Sequence, residues 1–454
     1  MSQTTRDGFG SRFGVLVAVA GSAVGLGNLW RFPYMVGNNG GAAFILLYLF
    51  FVVLLCLPIM FSEFVIGRRA QANVFGAVNS IAPKSGWLSI GIISVVASIS
   101  IMSFYSVVGG WTLEYVFKSF SPSFLTSNSD SLSDQFSNFS QRGLLPVIMH
   151  LLFLLISALI VVAGVKNGIE KYSKILMPLL FVLVILLAIR SLTLPGASEG
   201  VKFLLYPDFS KITSQTVLAA LGQAFFSLSL GMGCIITYGS YVNKKENLFN
   251  ISFMSAIADT GFAIIAGLAV VPAVFAFGIS PDQGPSLVFI TLPQIFAQLP
   301  FGNIIAISFF FILLIAALTS SISLLEVVVA YFTEELKISR KNSVIITFVI
   351  IGFFGTLSSL SIGPLKDILL FNKTFFDLFD YTSSNILLPI GGLLVVLFVG
   401  WKMKKEDVYD ELSSGGSISL NKKIFGAILF VIKFMAPIAI SIVLLNSIGI
   451  IKLF

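Results

Sequence analysis

The stretch AGSAVGLGNLWRFPY, residues 20–34, lies in the first apolar segment of the chain and contains three glycines, an asparagine and an arginine. Glycine costs a helix about 1 kcal/mol relative to alanine, so Gly25-Leu26-Gly27 predicts a helix interruption near mid-membrane. Carbonyl groups freed from a helix are tolerated in hydrocarbon only where they line a protein-enclosed cavity. Freed carbonyls bind cations and an exposed helix N-terminus favours an anion, so the stretch predicts an ionic ligand.

The composition is that of an all-α integral membrane protein. Hydrophobic residues make up 56% and charged residues 11% of the 454 positions, far from the values of soluble domains. Stretches long enough to span a bilayer recur about eleven times. They are 12–36, 41–66, 87–117, 144–164, 174–194, 215–241, 249–277, 302–332, 343–363, 375–401 and 424–450.

The charge distribution predicts the orientation. Most of the 28 basic residues fall in loops and span ends on the side of the N-terminus, and such residues are enriched in cytoplasmic loops. We therefore expect a cytoplasmic N-terminus. The net charge of +7 reflects this asymmetry, so we expect no nucleic-acid partner. A cleaved signal peptide is the alternative, but its apolar core before Ala18-Val19-Ala20 would be too short.

Three linking segments stand out between the predicted spans. Residues 121–141 are polar and rich in serine, which predicts a surface loop. Residues 280–302 carry four prolines and predict short helices packed against the spans, and residues 402–417 predict a charged cytoplasmic link. The single histidine, His150, opens the fourth span and is expected at the membrane interface, and Cys56 and Cys234 fall in apolar spans that imply no disulfide framework.

The glycine pattern of the first span is repeated five spans later. Gly231-Met232-Gly233 lies midway along the sixth span, preceded by Ser227 and Ser229 as Gly25-Leu26-Gly27 is preceded by Ser22. Paired interruptions in two halves are typical of inverted-repeat transporters with a site at the repeat interface. Close helix packing by small residues is the alternative for each motif alone.

At these residues the chain resembles the neurotransmitter:sodium symporter family, whose members have the LeuT fold. The resemblance rests on GSAVGLGNLWRFPY, NNGGAAF, GQAFFSLSLGMG, ITYGSY and LTSSIS, in family order. It implies a 5+5 inverted repeat plus one extra helix, with broken helices one and six. The repeats would be residues 12–194 and 215–401, followed by an eleventh helix at 424–450, all in one transmembrane domain.

The resemblance implies two sodium sites. Site one would use the Ala23 carbonyl, Asn28, Ser227, Asp259 and a carboxylate oxygen of the substrate. Site two would use the carbonyls of Gly21, Val24 and Ala316 with the hydroxyls of Thr319 and Ser320. These oxygen donors suit a hard cation, although Thr319-Ser320-Ser321 alone is also typical of helix–helix contacts in membranes.

Asp259 departs from the asparagine of several relatives, and Ala263 stands where the family's alternative carboxylate lies. We infer that Asp259 supplies the negative charge that other members take from chloride, which predicts chloride-independent transport. The alternative is that this carboxylate only strengthens sodium binding.

The resemblance also implies the residues of a substrate pocket. They are Ser22, Ala23, Leu26, Gly27, Ile101, Tyr105, Phe226, Ser227, Ser229, Met232, Ser320 and Leu324. Gly25 stands where monoamine carriers have an aspartate, so the ligand must bring its own carboxylate. The apolar lining then favours hydrophobic or aromatic L-amino acids, with Met232 as an adaptable wall.

Gate residues follow from the same resemblance. Arg31 would pair through water with Asp380 on the outer side, above a Phe226 lid, and Arg6 would pair with Glu334 near Tyr241 on the inner side. Glu63 is expected to hydrogen-bond the unwound backbone of span six, whereas Glu326 receives no role.

The predicted function is a sodium-coupled symporter that imports hydrophobic or aromatic L-amino acids by alternating access. It is not an enzyme, its partners are a small-molecule amino acid and membrane lipid, and no obligate protein partner is evident. A multi-pass location in a prokaryotic inner membrane is expected. The alternatives are a transporter-like amino-acid sensor and an uncoupled facilitator or channel.

Overall fold

The computed structural model describes residues 8–121, 124–125, 129–278, 287–416 and 418–451. Helices account for most of these residues, which agrees with the predicted all-α class. In chain order the helices are α1 (Arg12–Ala23), α2 (Gly27–Asn38), α3 (Ala42–Ala70), α4 (Val74–Ile81), α5 (Gly86–Ser119), α6 (Ser129–Gln141), α7 (Leu144–Val162), α8 (Val165–Leu192), α9 (Ala197–Leu205), α10 (Ser214–Ser227), α11 (Cys234–Ser240), α12 (Leu248–Ala276), α13 (Val288–Ala297), α14 (Gly302–Glu334), α15 (Arg340–Leu360), α16 (Phe375–Lys402), α17 (Lys405–Leu412) and α18 (Lys422–Ser447).

The long helices coincide with the predicted spans. Within the described ranges, nine helices are long and apolar enough to cross a membrane, and α1 with α2 forms a tenth span bent by 51°. The remaining predicted span, 215–241, consists of α10 and α11 separated by residues 228–233. Leu144, Leu159 and Phe353 are among many large apolar side chains exposed on the outside of the bundle, as expected of a surface that faces lipid.

The predicted surface loop at 121–141 is wrong for its second half, because residues 129–141 form α6. Leu132, Phe136 and Phe139 recur at helical spacing on this segment and pack towards the bundle, where Phe136 contacts Trp111 edge-on with ring centroids 5.3 Å apart. Serines between these positions hid the apolar stripe in the composition. The short helices expected within 280–302 are present as α13, and residues 279–286 lie outside the described ranges.

His150, which the sequence predicted at the membrane interface, is buried inside the helix bundle. Gly110 on α5 lets the backbone of α7 approach at His150, and Gly355 on α15 leaves room for the imidazole ring. A Cβ atom at Gly355 would lie 2.3 Å from the imidazole Cε1 atom. This histidine therefore fills a contact among α5, α7 and α15.

Candidate functional site

The first interruption separates α1 from α2 at the predicted glycines. Helix α1 ends at Ala23, and Val24 adopts an extended conformation with ψ of 101°. The Ser22 carbonyl accepts hydrogen bonds from the hydroxyls of Ser229, at 2.8 Å, and Ser320, at 3.3 Å. Hydroxyls from the second interruption and from α14 thus compensate a carbonyl near the end of α1, in keeping with the requirement that backbone groups be satisfied inside a bilayer.

The second interruption separates α10 from α11. Ser229, Gly231 and Gly233 have φ values of 55°, 81° and 80°, which a helix cannot contain. The Gly231 amide donates to Glu63 Oε1 at 2.7 Å, which is the bond expected for this glutamate. A Cβ atom at Gly231 would lie 2.3 Å from the Leu388 carbonyl oxygen, so glycine is required by conformation and by space.

A small cavity lies between the two interruptions. Its lining contains every predicted pocket residue except Leu26, together with Gly25, Asn28 and Ser323. Leu26 contributes its backbone amide, which donates to the Tyr105 hydroxyl at 3.3 Å. The cavity measures about 40 Å³, and a Cβ atom at Gly25 would lie 2.4 Å from Ser320 Oγ, so even a methyl group there would intrude.

The predicted residues of sodium site one form a buried polar cluster next to this cavity. Asp259 is fully buried. Its Oδ1 atom accepts from Asn28 Nδ2 at 2.7 Å, and its Oδ2 atom accepts from the Ser227 hydroxyl at 2.7 Å. The Tyr48 hydroxyl lies 3.4 Å from both Ser227 Oγ and Asp259 Oδ2. The carboxylate and the hydroxyls of Ser227 and Tyr48 supply oxygen atoms, which suit a hard cation, whereas Asn28 presents its NH₂ group to Asp259 and accepts from the Gly25 amide with Oδ1 at 3.2 Å.

The residues predicted for site two meet where α14 passes α1. Thr319 Oγ1 lies 3.5 Å from the Val24 carbonyl oxygen and 3.1 Å from that of Ala316. Gly21 faces the same threonine, since a Cβ atom there would lie 3.3 Å from Thr319 Cβ. The Ser320 hydroxyl points instead to the Ser22 carbonyl, towards the cavity. The oxygens that meet here are carbonyls and hydroxyls. Among the described residues no group of three acidic, histidine or cysteine side chains could hold a metal ion.

Arg31 covers the cavity from the α2 side. Its guanidinium lies 4.6 Å from the centre of the Phe226 ring, and that ring lies 3.1 Å from the Cβ position of Gly27. Asp380 is exposed, accepts from Ser384 at 3.1 Å and acts on Arg31 through space. Above Phe226 lies a larger cavity of about 300 Å³, lined by Arg31, Phe226 and segments of α3, α10, α16 and α18.

The N-terminal side of the site is closed by a second charged network. Glu326 accepts from the Tyr241 hydroxyl at 2.7 Å and from Arg340 at 2.6 Å and 3.1 Å, and it is fully buried. Glu334 accepts from the Asn73 amide at 2.7 Å. Arg6, the predicted partner of Glu334, lies outside the described residues.

Sequence reasoning missed three members of these clusters: Tyr48, Glu326 and Arg340. A charged residue inside an apolar span is functional by default, and this rule applies to Glu326. Tyr48 carries a weaker signal, because a tyrosine in an apolar run usually finds a hydrogen-bond partner when it is buried.

Comparison with known proteins identifies the relatives of this arrangement. The model of the sodium:neurotransmitter symporter family matches residues 6–130 and 123–453. The uncharacterized sodium-dependent transporter YhdH of Bacillus subtilis (strain 168) is 42% identical over 452 residues, covering all of both chains. The rat sodium- and chloride-dependent GABA transporter 2 is 26% identical, over 90% of this chain and 75% of its own.

A solved structure shares the architecture. The crystal structure of MhsT in complex with L-phenylalanine superimposes with a TM-score of 0.90 and 45% sequence identity, over 97% of this chain and 100% of the other.

Proposed function

Because the chain belongs to the sodium:neurotransmitter symporter family, and is therefore a sodium-dependent transporter with the LeuT fold rather than an enzyme, we propose that it imports hydrophobic or aromatic L-amino acids. One observation carries this proposal: a single cavity joins both helix interruptions and borders the Asp259 cluster. A ligand that bridges backbone ends and a cation must carry charges of both signs at one end, as an α-amino acid does.

The amino-acid backbone would be held by groups of the two interruptions. Gly25 has no side chain, so the substrate carboxylate takes the place of a protein anion beside site one. Tyr105 and the N-terminal end of α2 assist as donors. The ammonium group would contact backbone carbonyl oxygens of the two interruptions and the Ser229 hydroxyl.

The side chain of the substrate would lie among apolar residues. Ile101, Phe226, Met232 and Leu324 line the cavity and offer no charge, which favours large apolar or aromatic side chains. The similar structure of MhsT contains L-phenylalanine, and this supports the same class of substrate here. Entry of such a side chain requires the cavity to widen, and methionine at 232 can adapt its shape.

Sodium would be carried at two sites. Site one is the Asp259, Asn28 and Ser227 cluster with the Ala23 carbonyl. Site two comprises the carbonyls of Gly21, Val24 and Ala316 with Thr319 and Ser320. Asp259 supplies a fixed negative charge in site one, which supports transport without chloride.

Transport would proceed by alternating access. Substrate binding completes site one, Arg31 and Phe226 close the outer side, and α1 then moves away to open the N-terminal side. We place this side in the cytoplasm of a bacterium, with the protein in its plasma membrane, because basic residues concentrate there. Two sodium ions moving inward supply the drive, with about 2.3 kcal/mol per charge per 100 mV of membrane potential.

Uptake into reconstituted vesicles tests the proposal. An imposed inward sodium gradient should drive labelled L-phenylalanine above its equilibrium level, and the same vesicles in potassium should not accumulate it. A competition panel of the twenty amino acids should rank the large apolar ones first. Purely downhill flux would instead identify a facilitator, and binding without flux would identify a sensor.

A further inference from the structure

The carboxylate of Glu170 lies at the N-terminus of α1. Its Oε2 atom accepts from the Gly10 amide at 2.6 Å, and its Oε1 atom accepts from the Ser11 hydroxyl at 2.8 Å. Ser11 is the residue that caps α1, since its hydroxyl also accepts from the Gly14 amide at 3.0 Å. Glu170 thus binds the two residues at which the first half of the interrupted span begins.

Two further features favour this contact. A negative charge near a helix N-terminus is stabilised by the helix dipole, and Glu170 occupies that position on α1. Gly14 makes the approach possible, because a Cβ atom there would lie 2.2 Å from Glu170 Oε1 and 2.4 Å from its Cδ atom. Any other residue at position 14 would displace the carboxylate.

Glu170 is fixed on its own helix as well. Lys174, one turn later on α8, donates to Oε1 at 2.6 Å. The aliphatic part of Lys166 covers Gly10, where a Cβ atom would lie 3.0 Å from Lys166 Cε. Glu170 itself is buried, with its side chain 3% exposed. Helix α8 therefore holds a rigid acceptor against the start of α1.

We propose that Glu170 is a positioning residue that keeps α1 closed against α8, and that its bonds to Gly10 and Ser11 must break before cargo leaves towards the N-terminal side. This inference rests on the proposed function in one respect, the movement of α1. Glu170 touches neither the cavity nor the sodium clusters, so its effect on transport is exerted through the position of α1 alone.

The chain contains its own reporter of that position. Cys234 begins α11 and is fully buried, and α11 packs against both α1 and α14. Movement of α1 would uncover it. The other cysteine, Cys56, is buried in α3 and is replaced by alanine in the test, so that N-ethylmaleimide reports on Cys234 alone.

The experiment compares labelling rates of Cys234 in the full-length protein in sodium buffer. Glu170→Gln retains the size of the side chain but has only one acceptor oxygen, so it can no longer accept from both Gly10 and Ser11, and we expect about tenfold faster labelling from the loss of a charge-assisted hydrogen bond. Glu199→Gln is the matched control, because Glu199 is exposed and accepts from Lys202 at 2.8 Å. We expect the control to label at the parent rate.

Two further variants, Gly14→Ala and its combination with Glu170→Ala, show whether a folding defect explains faster labelling of Glu170→Gln. Gly14→Ala forces the carboxylate away and should also accelerate labelling. If both residues act through one contact, Gly14→Ala combined with Glu170→Ala should label no faster than Glu170→Ala alone. Additive effects would overturn the proposal.

Labelling of Glu170→Gln and Gly14→Ala at the parent rate, in proteins that retain the parent Tm, would also overturn it. No amino acid is added in this assay. If the variants label faster but the parent protein does not accumulate amino acids, the proposed function alone is refuted. If the variants label at the parent rate and the parent protein is an active symporter, the role of Glu170 alone is refuted.

Discussion

Replacement of Asp259 by asparagine would remove the fixed charge of site one with little change in shape. Each carboxylate oxygen accepts a hydrogen bond of 2.7 Å, from Asn28 and from Ser227. An asparagine amide has one acceptor oxygen, so one of these two donors would face an NH₂ group. The substitution therefore alters both the charge and the hydrogen bonding of the cluster.

The expected loss of sodium affinity follows from the charge. A full charge about 4 Å from a cation contributes at most about 4 kcal/mol at an effective dielectric constant of about 20, and a hydrogen bond to a charged group contributes about 1.5 to 3 kcal/mol. We expect a loss of about 2 to 4 kcal/mol, or roughly 30- to 1000-fold weaker sodium binding.

Uptake of labelled L-phenylalanine is measured against sodium concentration, in chloride and in gluconate. The parent should be indifferent to the anion, whereas Asp259→Asn should either require chloride or lose coupled uptake. Asp208→Asn is the control, because exposed Asp208 also accepts from a serine hydroxyl, at 2.6 Å, but lies far from the cluster in sequence and at the surface. Unchanged sodium affinity with full uptake in gluconate would refute the role given to Asp259.

Three further substitutions test other parts of the site and its support. Gly25→Ala places a Cβ atom 2.4 Å from Ser320 Oγ and 3.2 Å from the Tyr105 hydroxyl. Equilibrium binding of amino acids should weaken at least about tenfold in a protein that keeps the parental Tm. Unchanged binding would show that the cavity is not the substrate site. Met232→Phe replaces an adaptable side chain by a rigid one, so tryptophan should compete with labelled substrate less well, relative to leucine, than in the parent. An unaltered ranking of the two competitors would exclude contact between position 232 and the substrate. Arg68→Ala removes a buried guanidinium that donates to Glu411 at 2.8 Å and leaves that buried carboxylate with Lys244, at 2.9 Å. Because the loss of a hydrogen bond to a charged group costs about 1.5 to 3 kcal/mol, the thermal midpoint should fall clearly below that of Arg69→Ala, whose guanidinium is 31% exposed and lies 3.6 Å from Glu411, and equal midpoints would contradict this.

The spans and the two interruptions could be predicted because both leave a local signal. Apolar length identifies a helix that faces lipid, and the glycines at 25, 27, 231 and 233 mark where such a helix cannot continue. The described helices follow these signals closely, and the predicted pocket residues surround one cavity with the exception of the Leu26 side chain.

The errors and omissions arise where the signal depends on distant partners. Helix α6 is stabilised by packing of Phe136 and Phe139 on α5, which serine-rich composition conceals. His150 is buried because Gly110 lets α7 approach and Gly355, far away in sequence, leaves space for the imidazole ring. Glu326 on α14 likewise pairs with Arg340 at the start of α15 and with Tyr241 at the end of α11. No one of these three residues reveals the pairing by itself.

The two facing helix interruptions should bind sodium together with an amino acid. Equilibrium binding of labelled L-phenylalanine to the purified protein tests this most directly, with sodium replaced stepwise by potassium at constant ionic strength. Affinity should rise with sodium and be lost in potassium. Equal affinity in the two salts would contradict this.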